Sequence, residues 1–521
     1  MRIGIDVGGT HTDAVLLQDD AILTSHKVMT SQDVTSGICE VLTTLLEQSP
    51  DAIGATAVMI GTTQFTNAVV QRKSLAPVAA IRIGAPSGRG LPPFVGWPAE
   101  IASAIGGHTY ELHGGFLYDG KPLAAFDDTA LNTVIDDIAS KDIQAVAITS
   151  AFSPMNASPE VHVTNRLKQR LPYLNITCSH DLGRIGLLER ENATLLNASL
   201  MSFADTVCSA MQSAVQTLLP GCPVFITQND GTLMDIAFAR RFPALTFASG
   251  PTNSLRGAAK LTGIQQAIVV DIGGTTSDIG VLRNSFPRES HLVVDVGGVR
   301  TNFRMPDILA IGLGGGSIVS SDGKTVGPSS VGHQLISEGL VFGGKTLTST
   351  DIAVAAGKAH IGTSTAVESL PREVITNGLT EMARLLNQGI RKMNPGKDTL
   401  PVILVGGGAF IAPDDIGDDS DVIRPQHAEV ANAIGAAIAN IGGESERFVS
   451  YDHLPREEAI RQVRKEACEK AIAAGADSHT LRVNEVEEVA IPYMDNGATR
   501  IRVKVVGEVA LLNNVHQAQV S

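Results

Sequence analysis

The residues best suited to chemistry lie in two copies of one short motif. Residues 3–13 are Ile-Gly-Ile-Asp-Val-Gly-Gly-Thr-His-Thr-Asp, and residues 269–278 are Val-Val-Asp-Ile-Gly-Gly-Thr-Thr-Ser-Asp. Each copy is an apolar strand, a Gly-Gly turn and a second strand, which is typical of a β-hairpin. Because glycine has no Cβ, the backbone N–H groups of such a turn can approach phosphate oxygens closely. The repeat therefore predicts two similar anion-binding hairpins.

Side chains at both turns suit a site for magnesium and phosphate. Asp6 and Asp271 end the first strand of each hairpin, and magnesium in nucleotide sites takes carboxylate and phosphate oxygens as ligands. We predict that Asp6 and Asp271 bind the metal and act in catalysis, and that Asp13 is a further catalytic carboxylate. The predicted phosphate-binding residues are the glycines and threonines of the two turns: Gly8, Gly9, Thr10, Thr12, Gly273, Gly274, Thr275 and Thr276.

The repeat itself decides between two interpretations. One copy of Asp-x-Gly-Gly-Thr could equally be a plain hairpin turn. Two copies in matching strand contexts, half a chain apart, favour a ligand-binding role. A repeat of this length is far too long for a solenoid unit and predicts two similar domains that face each other.

A third glycine motif follows the apolar run at residues 402–405. We predict that Gly406, Gly407 and Gly408 bind adenosine, because a strand followed by glycines and a helix lets a flat base lie close to the backbone. The motif is weak alone, since glycine turns after strands are common. Its position after the two hairpins supports the prediction.

Polar residues after two other strand-like runs are predicted to bind the substrate. Thr62 and Thr63 open a helix, Asn67 lies one turn further on, and Asn229 closes the run at residues 223–227. Simpler interpretations stay open: threonine there can cap the helix, and Asn229-Asp230-Gly231 can be a plain turn.

Other reactive side chains are assigned no ligand. Glu189-Arg190-Glu191 could be catalytic, but a solvated helix face is the favoured interpretation. The histidines do not fall at zinc-type spacings and are assigned to the surface or the core. Neither a cysteine-only metal site nor a disulfide framework is expected, because the five cysteines are scattered: Cys39, Cys178, Cys208, Cys222 and Cys468.

The composition is that of an ordinary globular protein. The chain has 521 residues, of which 43% are hydrophobic and 18% charged, with a net charge of −14. This acidic balance argues against nucleic acid or an anionic membrane as a main partner. We find no uncharged apolar run long enough to span a bilayer and no room for a signal peptide before the first strand. We therefore expect a soluble, cytoplasmic protein.

Apolar runs and helix-forming stretches alternate along the chain, which favours an α/β architecture. Residues 1–190 are predicted to form a first half, with a loop-rich insertion near residues 87–128, and residues 191–445 a second half. From residue 446 to residue 521 the sequence changes to a charged helix and alternating strands. This segment is predicted to be a small α+β appendix at the C-terminal end.

The order of hairpin, second hairpin and glycine-rich adenosine loop resembles the actin–Hsp70–sugar kinase superfamily. That resemblance implies duplicated actin-like (ribonuclease H-like) ATPase domains. Within the superfamily the chain looks like the A-type, N-methylhydantoinase A-like members of the hydantoinase/oxoprolinase family, over residues 1 to about 440. The matching stretches are residues 3–13, 61–63, 66–68, 189–198, 228–233, 249–251, 271–278, 312–318 and 350–351.

The resemblance implies an ATP- and Mg²⁺-dependent hydrolase. Such an enzyme opens a cyclic amide, for example a hydantoin or 5-oxoproline, after phosphorylation of the carbonyl oxygen. A small-molecule or sugar kinase and a component of an ATP-dependent carboxylase stay open as alternatives with the same ATP site. The resemblance also implies a B-type subunit or a homo-oligomer as partner. His11, Leu309 and residues 331–333 differ from the family's usual pattern, which leaves the ring substrate open.

Overall fold

The computed structural model describes most of the chain. The described residues are 1–9, 11–19, 21–29, 34–117, 120–141, 143–182, 186–290, 293–396, 399–417, 420–452, 454–491 and 498–510.

The described strands follow one another in this order: β1 (Arg2–Val7), β2 (His11–Gln18), β3 (Ala21–Met29), β4 (Val58–Thr62), β5 (Val78–Ala85), β6 (His108–His113), β7 (Ala145–Ser150), β8 (Asn175–Cys178), β9 (Val224–Thr227), β10 (Thr232–Asp235), β11 (Ala267–Ile272), β12 (Ser277–Arg283), β13 (Phe286–Pro287), β14 (Val294–Val296), β15 (Val299–Thr301), β16 (Ile308–Ile311), β17 (Ser317–Val319), β18 (Val326–Ser330), β19 (Val402–Val405), β20 (Val422–Ile423), β21 (Asn440–Ser450), β22 (Arg482–Ala490) and β23 (Ala498–Gly507).

The described α-helices are α1 (Val34–Gln48), α2 (Gln64–Gln71), α3 (Ala99–Ile105), α4 (Asp128–Ser140), α5 (Ser158–Arg170), α6 (Leu187–Leu218), α7 (Ile236–Arg241), α8 (Ser249–Thr262), α9 (Leu335–Glu338), α10 (Ser349–Ala355), α11 (Arg372–Met393), α12 (Ala431–Ala437) and α13 (Arg456–Ala473).

Two mixed sheets share one strand arrangement. The nine-stranded sheet has the order β22-β23-β21-β10-β9-β4-β1-β2-β3, and the second sheet has the order β13-β12-β11-β19-β20, with β16 paired to β12. In both, a first strand pairs antiparallel with the next strand and parallel with a later one: β1 with β2 and β4, and β11 with β12 and β19. The chain is therefore an α/β protein in which the two predicted hairpins pair with their neighbouring strands in the same way.

Each of these sheets has its own apolar core. Ile3, Ile5 and the inward side chains of α1 and α6 pack together in the first sheet, and Val270 packs with α11 in the second. The strands alternate or run continuously apolar according to whether one face or both faces are covered, as expected for sheets layered with helices.

The sheets divide the chain differently from the predicted boundaries. The division at residue 190 falls inside α6, and β9 and β10, beyond it, join β4 in the first sheet. The insertion predicted at residues 87–128 contributes α3 and β6, and β6 pairs with β5 in a parallel sheet of the order β6-β5-β7-β8. The appendix strands β22 and β23 extend the nine-stranded sheet through β21. The division into domains stays a prediction, since shared strands define sheets and not independent units.

Helices α8 and α12 pack against each other between the two hairpin-bearing sheets. Side chains of α8 pack on β11 and β12, and side chains of α12 pack on β2. Their backbones touch at glycines: a Cβ on Gly257 would lie 2.0 Å from the Ala431 carbonyl oxygen, and one on Gly435 would lie 1.9 Å from the Asn253 carbonyl oxygen. The two glycines set how closely the sheets approach each other.

No helix among the described residues combines the length and apolarity needed to cross a bilayer.

The contact between α8 and α12 gives a first prediction. Gly435→Ala should lower the unfolding temperature, since the added methyl group meets backbone that cannot move aside and such overpacking costs about 1–3 kcal/mol. Gly90→Ala is the matched control, because a Cβ there meets nothing within 4 Å. Thermal unfolding followed by circular dichroism measures both variants. Equal unfolding temperatures for the two would contradict the close packing of these helices.

Candidate functional site

The two hairpins place equivalent carboxylates opposite each other. Asp6 pairs with Asp13 across β1 and β2, and Asp271 pairs with Asp278 across β11 and β12. The turns match as well, since the first glycine N–H of each donates to the backbone oxygen three residues on, at 3.0 Å for Gly8 and 2.9 Å for its equivalent. We call the four aspartates the carboxylate cluster.

Helices α8 and α12 join the two halves of the carboxylate cluster. Asn432 on α12 donates from Nδ2 to Asp6 Oδ2 at 3.3 Å. Ser254 on α8 lies in hydrogen-bond contact with both Asn432 and Asp271. The path Asp6–Asn432–Ser254–Asp271 therefore connects the hairpins, with the single hydroxyl proton of Ser254 facing acceptor oxygens of both Asn432 and Asp271. It brings the two predicted metal-binding carboxylates to one site.

Like charges and burial make this site costly to ionise. Burial and the charges of Asp13 and Asp271 raise the pKa of Asp6 to about 7, against the hydrogen bond from Asn432. Burial and the charge of Asp271 likewise raise the pKa of Asp278 to about 7. Burial also raises the pKa of Asp13 and of Asp271. Such shifts are expected where carboxylates share a dry site, and they cluster at functional sites.

The carboxylate cluster fits a divalent cation. Asp6 Oδ1 and Asp13 Oδ1 are buried and have no hydrogen-bond partner among the described residues. Lys27 donates to Asp13 Oδ2 at 3.0 Å and is the one described cationic side chain bonded to the cluster. The raised pKa values show that the four carboxyl groups resist ionisation together without a cation, and buried charge is stable only when it is paired or binds metal. Asp6 and Asp271 would hold Mg²⁺ here.

Two glycines make room for the predicted metal-binding carboxylates. A Cβ on Gly61 would lie 2.8 Å from Asp6 Oδ1, and one on Gly406 would lie 2.2 Å from Asp271 Oδ1. Gly61 lies in β4 opposite Asp6, and Gly406 directly follows β19, whose last residue pairs with Asp271. Any side chain at these positions would displace an aspartate from the cluster.

The second turn is braced by another glycine loop. Gly315 and Gly316 donate their N–H groups to the carbonyl oxygens of Gly273 and Gly274 at 3.0 and 2.7 Å. A Cβ on Gly314 would lie 2.6 Å from the backbone nitrogen of Thr275. The loop binds the carbonyl oxygens of the turn. The backbone N–H groups and hydroxyls on the other side of the turn are the groups that would bind phosphate.

The predicted phosphate-binding residues differ in exposure. Gly9, Thr275 and Thr276 are exposed at the turns, Gly8, Gly273 and Gly274 are half-buried, and Thr12 is buried in β2. Thr10 lies outside the described residues. The phosphate-binding role stays a prediction for all of them.

The three glycines predicted for adenosine lie beside the second hairpin. A Cβ on Gly408 would lie 2.7 Å from the Gly273 carbonyl oxygen, and one on Gly407 would lie 3.7 Å from Lys27 Nζ. The loop therefore adjoins both the predicted phosphate turn and the lysine of the other sheet. Their role in binding adenosine is untested by these contacts.

The predicted substrate residues lie in two places. Thr62 is buried at the end of β4, and its Oγ1 accepts from the Gln64 N–H at 3.2 Å. Thr63 is the N-cap residue of α2 and makes no side-chain capping bond. Asn67 Nδ2 lies 3.4 Å from Thr63 Oγ1, on the same half-exposed end of α2. Asn229 is buried at the end of β9, and its carbonyl oxygen accepts from Thr252 Oγ1 at 2.9 Å.

The interpretation of residues 189–191 as a solvated face is wrong for two of the three. Arg190 and Glu191 are 1% and 2% exposed. Glu191 pairs with Arg82, and Arg190 donates to the Ser150 carbonyl oxygen at 2.6 Å. The charges look solvated in sequence because their partners lie on strands of another sheet.

Sequence reasoning missed several members of the site. Asp278 is in the repeat at the position of Asp13 and could have been found by alignment of the two copies. Lys27, Ser254 and Asn432 had no signal, because single polar residues on β3, α8 and α12 follow no motif.

Residues 2–171 match the hydantoinase/oxoprolinase N-terminal region, and residues 190–396 match hydantoinase/oxoprolinase. Together the two matches cover well over half of the chain. The protein belongs to the hydantoinase/oxoprolinase family, which confirms the resemblance seen in its motifs.

Individual relatives agree with this assignment. The chain is 26% identical over 393 residues to the alpha subunit of caprolactamase from Pseudomonas jessenii, in an alignment that covers 68% of this chain and 54% of the relative. The chain thus spans about half the length of this relative. Its fold is similar to the crystal structure of ATP-dependent caprolactamase from Pseudomonas jessenii, with 20% identity and a TM-score of 0.79. It is also similar to nucleotide-free acetone carboxylase, with 16% identity and a TM-score of 0.68. Both structural matches cover 98% of this chain and 88% of the other.

Lys27 provides a prediction about the charge of the cluster. Lys27→Met should destabilise the protein by about 1–3 kcal/mol, because Asp13 then lies buried without its cation, and millimolar Mg²⁺ should recover part of the loss. Unfolding temperatures with and without Mg²⁺ measure the effect. Lys168→Met, at an exposed lysine of α5, is the control. A magnesium response no larger than that of the control would count against the cation site.

Proposed function

We propose that the protein is an ATP-dependent enzyme that opens a cyclic amide after phosphorylating its carbonyl oxygen. The observation that supports this most is the hydrogen-bonded path that holds Asp6 and Asp271 of the two hairpins at one site. Membership of the hydantoinase/oxoprolinase family supports the substrate class, and so does the similarity to the caprolactamase alpha chain.

The two hairpin-bearing sheets are proposed to be duplicated actin-like domains. Their shared strand order and the helix pair α8 and α12 between them support this. In this arrangement ATP lies between the hairpins, its phosphates against the glycine turns and its adenosine against Gly406, Gly407 and Gly408. Asp6 and Asp271 hold Mg²⁺, which neutralises charge on the transferring phosphoryl group when bound.

The chemistry explains why ATP is needed. An amide carbonyl is a poor electrophile, because resonance delocalises the nitrogen lone pair. Phosphorylation converts the carbonyl oxygen into a phosphate ester and leaves the ring carbon open to water. Transfer of a phosphoryl group is mainly a matter of position and charge, so the enzyme must hold a small neutral ring beside the carboxylate cluster and exclude water until transfer is complete.

The substrate is proposed to lie on the side of the first sheet. Strands β1, β4 and β9 are adjacent and parallel, so Asp6, Thr63 and Asn229 follow the same edge of one sheet. Ligands of α/β sheets bind at this edge. Amide and hydroxyl groups suit a neutral ring better than a charged one.

A kinase acting on a hydroxyl group is the second candidate, and it needs a carboxylate base beside the γ-phosphate. Asp230 is one carboxylate that could serve as this base. Burial would raise its pKa, but Lys504 at 2.6 Å, helped by hydrogen bonds from Thr232, lowers it to about 2. That carboxylate is a weak base. Asp13 belongs to the carboxylate cluster and is the better candidate. The carboxylase alternative shares the same ATP site and has no feature that favours it.

The partner and the location are also proposals. The relative from Pseudomonas jessenii is named as one subunit of its enzyme. This supports a partner of the B type for the present chain, with a homo-oligomer as the alternative. The acidic charge supports neither nucleic acid nor a membrane surface as partner, and we place the protein in the cytoplasm.

The function is tested by product analysis. Hydantoin, 5-oxoproline and caprolactam are each incubated with ATP, Mg²⁺ and the protein, together with any subunit that accompanies it in purification. At least one ring should stimulate ADP release and yield a ring-opened product. A stable phosphorylated hydroxyl compound as the product would favour the kinase.

Asp271→Asn should reduce the ring-stimulated ADP release by about 100-fold, in the range expected for removal of one group that stabilises transition-state charge. Asp51→Asn, at an exposed aspartate, should leave it unchanged. Normal ADP release by the Asp271 variant would contradict the role of the carboxylate cluster.

A further inference from the structure

A large cavity lies beside the strand end that carries Asn229. Its volume is about 750 Å³, which suits a small ligand. Polar and charged residues, such as His180, Asn229 and Arg304, make up more than half of those that line its wall, and apolar residues such as Leu182, Phe242 and Leu245 make up most of the rest. We call it the strand-end cavity.

Asn229, a residue of the cavity wall, carries a buried amide donor that has no acceptor among the described residues. Asn229 is 3% exposed, and its Nδ2 has no hydrogen-bond partner within the described part of the chain. A buried donor without a partner costs about 1–3 kcal/mol. The nitrogen itself is shielded from solvent, so this donor lies behind the cavity wall.

The strand-end cavity is close to the carboxylate cluster. Neighbouring strands lie about 4.8 Å apart, so the ends of β1 and β9, with β4 between them, are about 10 Å apart. Helix α8 joins the two places directly, because Thr252 bonds the Asn229 carbonyl oxygen and Ser254 bonds Asp271. The wall of the cavity at Asn229 and the carboxylate cluster are therefore linked through one helix.

One imidazole at the cavity wall is held in a fixed orientation. His180 Nδ1 lies 2.6 Å from Oε2 of Glu160, a fully buried carboxylate. Glu160 is itself held by the Ser150 N–H at 2.7 Å and the Ser179 hydroxyl at 2.5 Å. The bond to Glu160 places the proton on Nδ1 and leaves Nε2 as an acceptor in the neutral ring.

Among the described residues, the outer nitrogen of His180 has no hydrogen-bond partner. Nε2 lies 3.6 Å from Asp181 Oδ1, beyond hydrogen-bond distance. Burial alone would lower the pKa of His180, but the hydrogen bond and charge of Glu160 and the charge of Asp181 raise it. The imidazole can therefore accept a proton and keep it between two carboxylates.

The proposed reaction creates a need for such a group. Water adds to the carbon of the O-phosphorylated amide and gives a tetrahedral intermediate that carries both the phosphate and the ring nitrogen. If the phosphate leaves, the cyclic amide forms again and ATP has been hydrolysed without product. If the nitrogen leaves, the ring opens. Nitrogen leaves only when it is protonated, so a proton donor decides the outcome.

We propose that the strand-end cavity binds the phosphorylated ring and that His180 is the catalytic residue that directs it to open. This inference rests on the proposed function. His180 Nε2 takes a proton from the attacking water as the carbon–oxygen bond forms. It returns the proton to the ring nitrogen as the carbon–nitrogen bond breaks, leaving an amine and an acyl phosphate. A second water attacks the carbonyl carbon of the acyl phosphate, the bond between that carbon and the phosphate oxygen breaks, and a carboxylate and inorganic phosphate are released.

A metal site is the other arrangement that these side chains suggest. Ligand atoms of Glu160, Cys178 and His180 lie within 4.8 Å of one another. Both Glu160 oxygens are occupied by donors from residues of its own neighbourhood. This favours the proton-transfer role.

The test compares ring opening with ATP use. His180→Ala should lower the amount of ring-opened product per ADP by about 100-fold, the lower end of general acid–base effects, while ring-stimulated ADP release continues. Added imidazole should restore the ratio by entering the space left by the side chain. His162→Ala, at an exposed histidine of α5, is the control and should behave like the unaltered protein.

Each outcome decides a different point. An unchanged product-per-ADP ratio in His180→Ala, or a proportional loss of both activities that imidazole does not repair, would overturn the role of His180 alone. Stoichiometric zinc that is lost in His180→Ala would assign these residues to a metal site and overturn it too. Absence of ring-stimulated ADP release in the unaltered protein would contradict the proposed function, and this inference with it.

Discussion

The structure depends on one constraint: two pairs of buried carboxylates from separate sheets meet at a single place. Repulsion between Asp6 and Asp271 would separate the sheets unless other groups hold them, and Asn432 and Ser254 do so by hydrogen bonds from α12 and α8. Those helices approach closely because Gly257 and Gly435 have no side chain at the points of contact. The hairpins, the helix pair and the sheet order are thus parts of one arrangement that concentrates negative charge where a cation and phosphate would meet.

Helix α8 relates this charge to the rest of the chain. Consecutive polar residues on it contact two different parts of the protein. Thr252 and Asn253 bond Asn229 and Thr227 at the end of β9, the second bond at 3.1 Å, and Ser254 bonds Asp271 in the other sheet. Residues two apart on a helix are separated by about 3 Å along its axis. A change in the distance between the two sheets would therefore move the end of β9 and the wall of the cavity beside it. This connection gives the two proposed stages of the reaction, activation of the ring and its opening, a common support.

The sequence was sufficient for the features that repeat or alternate locally. The hairpins, the α/β class and the family follow from apolar strands, glycine turns and their order, because these are set by neighbours in the chain. The partners of Arg190 and Glu191 and the roles of Ser254 and Asn432 do not, because they depend on contacts between residues far apart in sequence. The boundary placed at residue 190 met the same difficulty: helix α6 begins just before it, and only the pairing of β9 with β4 shows which sheet the following strands join.

The central claim is that ATP is used to phosphorylate the amide oxygen, and the fate of that oxygen tests it most directly. A cyclic amide carrying a heavy oxygen isotope in its carbonyl group would be turned over in ordinary water, and the released phosphate examined by mass spectrometry. If the oxygen is phosphorylated, each ring opened gives one phosphate that contains the heavy isotope. In this account the second water attacks carbon, so the labelled oxygen leaves with phosphorus. If the phosphate carries no label and the isotope stays in the carboxylate of the product, the carbonyl oxygen has not been transferred to phosphate and the account is wrong.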